Sequence, residues 1–117
     1  MIESLLGNST AEKVLLYITN YEEGYISGIA ETFKISKSQV RKQLLRFENG
    51  GILVARSKGS LRLYTFNPRC FFKNELENLL KKFLVNYLEM KLRNIIDNAS
   101  VRVEQESFYE NIERPNQ

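Results

Sequence analysis

Ile26-Ser27-Gly28-Ile29-Ala30-Glu31-Thr32-Phe33-Lys34-Ile35-Ser36-Lys37-Ser38-Gln39-Val40-Arg41-Lys42-Gln43-Leu44 decides the reading of this chain. Its first part sets Ile26, Ile29, Ala30 and Phe33 at the spacing of one helix face, which predicts a helix over 26–33. Lys34-Ile35-Ser36-Lys37 breaks the stripe and reads as a turn. Ser36 stands where an N-cap belongs, and a second helix is predicted over 37–49. Its apolar residues Val40, Leu44 and Phe47 are spaced by four and three, with Leu45 beside them. Lys37, Ser38, Arg41, Lys42 and Arg46 fall on the opposite face.

Before this pair, Ser9-Thr10 precedes Ala11-Glu12-Lys13-Val14-Leu15, a hydroxyl followed by an acid and then apolar residues. That pattern predicts a capped helix over about 10–20, with a short turn from Ile2 to Leu6 in front of it and a polar break at 20–24 behind it. After the pair, Asn49-Gly50 ends the basic helix, with glycine able to take the left-handed cap. Ile52–Arg56 and Leu61–Phe66 read as strands around the turn Ser57-Lys58-Gly59-Ser60, a hairpin. Tyr64 and Phe66 alternate with Leu63 and Thr65, so one set is expected to face inward. Asn67-Pro68 ends the second strand, and Cys70 is expected as a small, partly buried residue near a helix start.

From Phe71 to about Asn98 the pattern is helical throughout. Leu76, Leu79, Leu80, Phe83, Leu84, Tyr87, Leu88, Leu92, Ile95 and Ile96 recur at threes and fours. So many large apolar residues exceed what one small domain can cover, so this stripe is the expected dimerisation surface. Its spacing is nearer 3.6 than a strict heptad, which favours helix packing over a long supercoil. Residues 100–117, with Glu104, Glu106, Glu110 and Glu113, are expected as an acidic, flexible tail.

Charge is sorted along the chain. Residues 34–69 hold nine basic side chains (Lys34, Lys37, Arg41, Lys42, Arg46, Arg56, Lys58, Arg62 and Arg69) and one acid, Glu48. That third carries +8 and the remainder −5, within a total of +3 over 117 residues. A face so one-sided is matched to a phosphate backbone. Other classes are disfavoured. Histidine is absent and cysteine occurs once, so no Cys/His metal cage or imidazole base is available. No Gly-rich phosphate loop occurs; Asn49-Gly50-Gly51 lies between a helix and a strand, the reverse of a P-loop order. A non-enzyme without cofactor is expected. With no apolar run of about 18 residues and no basic leader before a long apolar stretch, the expectation is a soluble, cytoplasmic protein with no membrane partner.

Two helices joined by a tight turn, the second apolar inward and basic outward, make a helix-turn-helix, and the following hairpin a wing. This part of the chain resembles the winged-helix repressors of the arsenic-repressor-like and multiple-antibiotic-resistance-repressor-like superfamily. Ile29-Ala30, Ile35-Ser36, Gly51-Ile52-Leu53-Val54 and Arg62-Leu63-Tyr64-Thr65-Phe66-Asn67-Pro68 carry the resemblance, which spans about residues 9 to 90. It implies a mainly α fold with a small β-hairpin. The expected organisation is a winged helix-turn-helix DNA-binding domain over 1–70, a long dimerisation helix over 71–99 and the tail over 100–117. It also implies a dimeric, sequence-specific regulator of double-stranded DNA, expected to repress by promoter occlusion. Ser36, Lys37, Ser38, Gln39, Arg41 and Lys42 would meet bases and flanking phosphates, Arg46 a phosphate, and Arg56, Lys58 and Arg62 the backbone or minor groove. The metal-sensing members bind through Cys, His and acid clusters, which this chain lacks. The alternative is a winged-helix protein-interaction module whose long helix docks onto another protein; basic residues on both helix and hairpin count against it.

Overall fold

The computed structural model describes residues 2–113, with side chains described as far as Asp97. The element order is α1 (Glu3–Leu6), α2 (Ser9–Tyr21), α3 (Ile26–Phe33), α4 (Lys37–Asn49), β1 (Leu53–Lys58), β2 (Leu61–Phe66) and α5 (Lys73–Glu113). The two strands form one antiparallel sheet. The mainly helical class with a small hairpin is the one the sequence predicts.

α3 and α4 occupy the predicted 26–33 and 37–49. Ser36 caps α4: its Oγ accepts the Gln39 N–H at 3.2 Å. Other ends differ from expectation. α2 is capped by Asn8, whose Oδ1 accepts the Ala11 N–H at 2.7 Å, and not by the Ser9-Thr10 pair, which lies inside the helix. The reason is Gly7: its φ of 100° closes α1 and reverses the chain one residue earlier than the hydroxyls would. At the end of α4, Gly50 stays right-handed at φ −79°, and Gly51 takes the left-handed φ of 77°. Reversal at Gly51 lets the Ile52 N–H donate to the Phe47 carbonyl at 2.9 Å.

The hairpin register runs from Leu53↔Phe66 to Lys58↔Leu61, so the turn is Gly59-Ser60 alone. Gly59 has φ 61° and Ser60 has no positive φ, the pattern of a type II′ turn with glycine at its first central position. A two-residue turn leaves Ser57 and Lys58 in the ladder, so β1 extends past its expected end at Arg56. The polar break at 20–24 has a second role: Gly24 bridges Tyr64, with N–H to carbonyl bonds of 3.0 and 2.8 Å in the two directions. At the base of the hairpin, Asn67 Nδ2 donates to the Gly51 carbonyl at 2.9 Å.

The core gathers Val14, Leu15 and Ile18 from α2, Ile29 from α3, Val40 and Leu44 from α4, Leu53 and Tyr64 from the hairpin and Leu80 from α5, all fully buried. Each such side chain contributes roughly 1.5–3 kcal/mol by leaving water. Leu63 and Tyr64 are both buried although they face opposite ways, against the single inward set expected. Leu63 shares its concavity with Tyr17, Tyr21 and Tyr25, so the second face is covered as well.

α5 begins at Lys73 and runs past the expected end near Asn98 to Glu113. No glycine or proline lies between Pro68 and Pro115, so nothing in the sequence breaks it. The side chains of Glu104, Glu106, Glu110 and Glu113, and residues 114–117, lie outside the described residues. The chain divides into two units, 1–84 and 85–117. The first therefore includes the opening turns of α5, anchored by Leu80. In the second, Val85, Leu88, Met90, Leu92, Ile95 and Ile96 are each more than half exposed.

Asn8→Ala should lower the unfolding free energy by about 1 kcal/mol in urea titrations, whereas Ser9→Ala should change it by less than about 0.5 kcal/mol; equal losses would return the cap to the hydroxyl pair.

Candidate nucleic-acid interface

Burial of Val40, Leu44 and Phe47 turns the opposite side of α4 outward. Residues four apart stack in rows on a helix, so Lys37, Arg41 and Leu45 make one row and Ser38 and Lys42 the next; all five line a shared shallow concavity. The first row is also one wall of a groove of about 520 Å³. Ser60, Leu61, Arg62 and Tyr64 of the hairpin form the opposite wall, and Tyr25, Ile26 and Ser27 at the start of α3 close it. The structure thus brings the basic helix face and one side of the hairpin to a single groove. Gln39 is exposed beside it. Ser36 is committed to the cap, and its Oγ lies 3.2 Å from the Ser38 Oγ.

The cations expected from sequence fall into three groups. Lys37, Arg41, Lys42 and Lys58 are exposed and take part in no ion pair among the described residues. Two hairpin arginines are paired: Arg56 Nη2 with Glu23 at 3.0 Å, and Arg62 Nη2 with Glu48 at 2.7 Å. Arg62 Nε also donates to the Tyr64 hydroxyl at 3.2 Å, and its guanidinium lies 5.7 Å from that ring's centroid. The Tyr64 hydroxyl, then the Glu48 charge, hold the Arg62 guanidinium above its ordinary pKa. Arg46 forms the third group, tied into the fold. Its Nη2 donates to the Leu6 carbonyl at 2.7 Å, its Nη1 to Gln43 Oε1 at 2.8 Å, and it lies over the Phe47 ring. It fastens the end of α1 to α4 and satisfies the buried Gln43.

Leu45 and Leu61 were not expected at the site. Both are exposed and line the groove. The signal for Leu45 was present, since it follows Arg41 by four. Leu61 had none, because its place depends on how the hairpin sits against α4.

The expected dimerisation residues separate too. Leu80 is core, and Leu76, Phe83, Leu84 and Tyr87 are half-buried. Leu79, Leu88, Leu92, Ile95 and Ile96 are exposed. Among the described residues no group of His, Cys, Asp and Glu could hold a metal ion. No helix among them is long and apolar enough to cross a membrane.

No family model and no curated protein matches the sequence. Solved structures do. The transcriptional regulator BldR from Sulfolobus solfataricus is similar with a TM-score of 0.56 and 12% identity, over 89% of this chain and 79% of that one. A double mutant of Lactococcus lactis ZitR in apo form gives 0.52 and 19%, over 84% and 81%. The antimony-specific transcriptional repressor AntR gives 0.50 and 19%, over 85% and 78%. The fold is a winged helix-turn-helix. In it α4 holds the place of the recognition helix and β1–β2 that of the wing. At these identities the likeness is one of fold.

Arg46→Gln should lower stability by about 1 kcal/mol in a urea titration, through loss of the Leu6 and Gln43 bonds. It should change duplex affinity less than Arg41→Gln does; the reverse order would place Arg46 on the nucleic acid.

Proposed function

We propose that the protein is a sequence-specific double-stranded DNA-binding transcriptional regulator that acts as a homodimer and represses by occluding a promoter. The observation that carries this reading is the groove with positive charge on both walls, Lys37 and Arg41 on the recognition helix and Arg62 on the wing. The fold shared with BldR and AntR, themselves a transcriptional regulator and a repressor, supports it. The first half of α4 would enter the major groove. There Arg41 can donate two bonds to guanine O6 and N7 and Gln39 can pair with adenine, while one turn further along Leu45 can pack on a thymine methyl. Lys37, Lys42 and Lys58 would meet phosphates, which position the protein without reading sequence. A cytoplasmic site of action follows from this reading.

The dimer is proposed from α5. Leu88, Leu92, Ile95 and Ile96 leave apolar surface in water that a second copy of the helix would cover. Two recognition helices about 34 Å apart would then match successive major grooves of a palindromic site. The same exposed residues are the specific support for the second reading, docking of α5 onto a different protein.

The double change Arg41→Ala with Lys42→Ala should abolish footprints on the protein's own upstream DNA and leave the sedimentation coefficient unchanged. Leu88→Glu with Ile95→Glu should give a folded monomer that binds a half-site at least about tenfold more weakly than the dimer binds the full site. If the basic pair is without effect while the apolar pair removes capture of another protein, the docking reading replaces the regulator.

A further inference from the structure

We propose that Glu48 and Tyr64 are positioning residues that fix Arg62 of the wing at the groove, oriented to receive a backbone phosphate; this rests on the DNA-binding reading. Glu48 is the only acid between 34 and 69, and by charge alone an acid at this face opposes phosphate. Its placement gives it a use. It stands in the last turn of α4, and its carboxylate meets Arg62 on β2 at 2.7 Å. The pair therefore spans from recognition helix to wing.

Arg62 is half-exposed, with 53% of its side chain accessible, and an arginine so placed ordinarily samples many rotamers. Here it is held at two further points, the Tyr64 hydroxyl at 3.2 Å and the face of the Tyr64 ring. Tyr64 is a rigid support: it is 1% exposed and its backbone bonds Gly24 in both directions. The other wing pair lacks this. Arg56 and Glu23 have 64% and 41% of their side chains exposed and, among the described residues, no further partner holds that guanidinium, so it is an ordinary surface pair.

A guanidinium has five N–H donors. Nε–H and one proton of Nη2 are used internally, which leaves both Nη1 protons and one on Nη2 for an incoming oxyanion. Lys37 lines the opposite wall of the same groove, so a phosphate strand lying in it would meet cations from both walls. A side chain already fixed in place loses less rotamer freedom on binding. Arg62 would then contribute through geometry as well as charge.

Bare electrostatics and positioning predict opposite signs. Duplex affinity would be measured by fluorescence anisotropy on a labelled random-sequence duplex and on upstream DNA. The proteins are wild type, Arg62→Gln, Glu48→Gln, Tyr64→Phe and the Glu48→Gln/Arg62→Gln double variant, each checked by thermal melting. Arg62→Gln should weaken binding about tenfold. Glu48→Gln and Tyr64→Phe should each weaken it about threefold, although neither removes a positive charge, and Tyr64→Phe should leave the salt slope unchanged. In the Glu48→Gln background, Arg62→Gln should cost less than about threefold, the coupling expected of neighbours. Should a glutamine variant fail to fold, Arg62→Lys serves: it keeps the charge, loses the fork, and should bind severalfold more weakly than wild type. Tighter binding by Glu48→Gln, an undiminished Arg62→Gln effect in its background, or wild-type affinity in Arg62→Lys overturns the proposal while the DNA reading stands. A wild type that binds no duplex overturns both.

Discussion

The rotation of α4 about its own axis is the constraint on which the rest depends. Val40, Leu44 and Phe47 leave water together against α2, α3 and the hairpin, and only one rotation buries all three. That rotation sends Lys37, Arg41 and Leu45 along one outer row and Ser38 and Lys42 along the next. Turning the helix to present a different set would expose at least one of the buried three, at a cost of roughly 1.5–3 kcal/mol. The positive face is therefore held by an apolar one, and the Ser36 cap sets where the face begins.

A basic helix alone makes a surface; the groove needs the hairpin set at a definite height beside it. Three polar contacts with long sequence separation do this. Gly24 bridges Tyr64, Asn67 closes the base of the hairpin on Gly51, and Glu48 meets Arg62. The Gly24–Tyr64 and Asn67–Gly51 bonds exchange protein–water bonds for protein–protein ones, each worth about 1 kcal/mol. Their joint effect is geometric. They hold a two-stranded sheet, marginal on its own, against the helical body. The Tyr17, Tyr21 and Tyr25 cluster covers the sheet's other side, which is how both Leu63 and Tyr64 leave solvent.

What the sequence made legible is what local chemistry controls. The spans of α3, α4 and β2, the Ser36 cap and the apolar stripe of α4 follow from spacing and capping within a few residues. So does the charge sorting that points to a phosphate partner. What it hid depends on partners far along the chain. Arg46 looked like one more cation of the outer face, yet its partner is the Leu6 carbonyl, 40 positions away. Arg56 and Arg62 looked free, and their carboxylates come from the α2–α3 connector and from the far end of α4. Leu80 looked like part of one uninterrupted stripe with Leu88 and Ile95, but the stripe is shared between two uses, core in its opening turns and exposed apolar surface beyond Leu84. Asn8, and not Ser9-Thr10, caps α2 because of the reversal at Gly7, a backbone fact that side-chain spacing does not carry.

The central claim is that the face built by α4 and the wing takes a DNA duplex through a small set of cations. The most direct measurement is the dependence of wild-type duplex affinity on salt concentration. With Lys37, Lys42 and Lys58 free of ion pairs among the described residues and Arg62 fixed at the groove by Glu48, four phosphate contacts per protomer predict a log–log slope of about −3.6 per protomer, roughly twice that for a dimer. A slope in that range supports the account. Binding that ignores salt, or no binding at low salt by the folded protein, contradicts it.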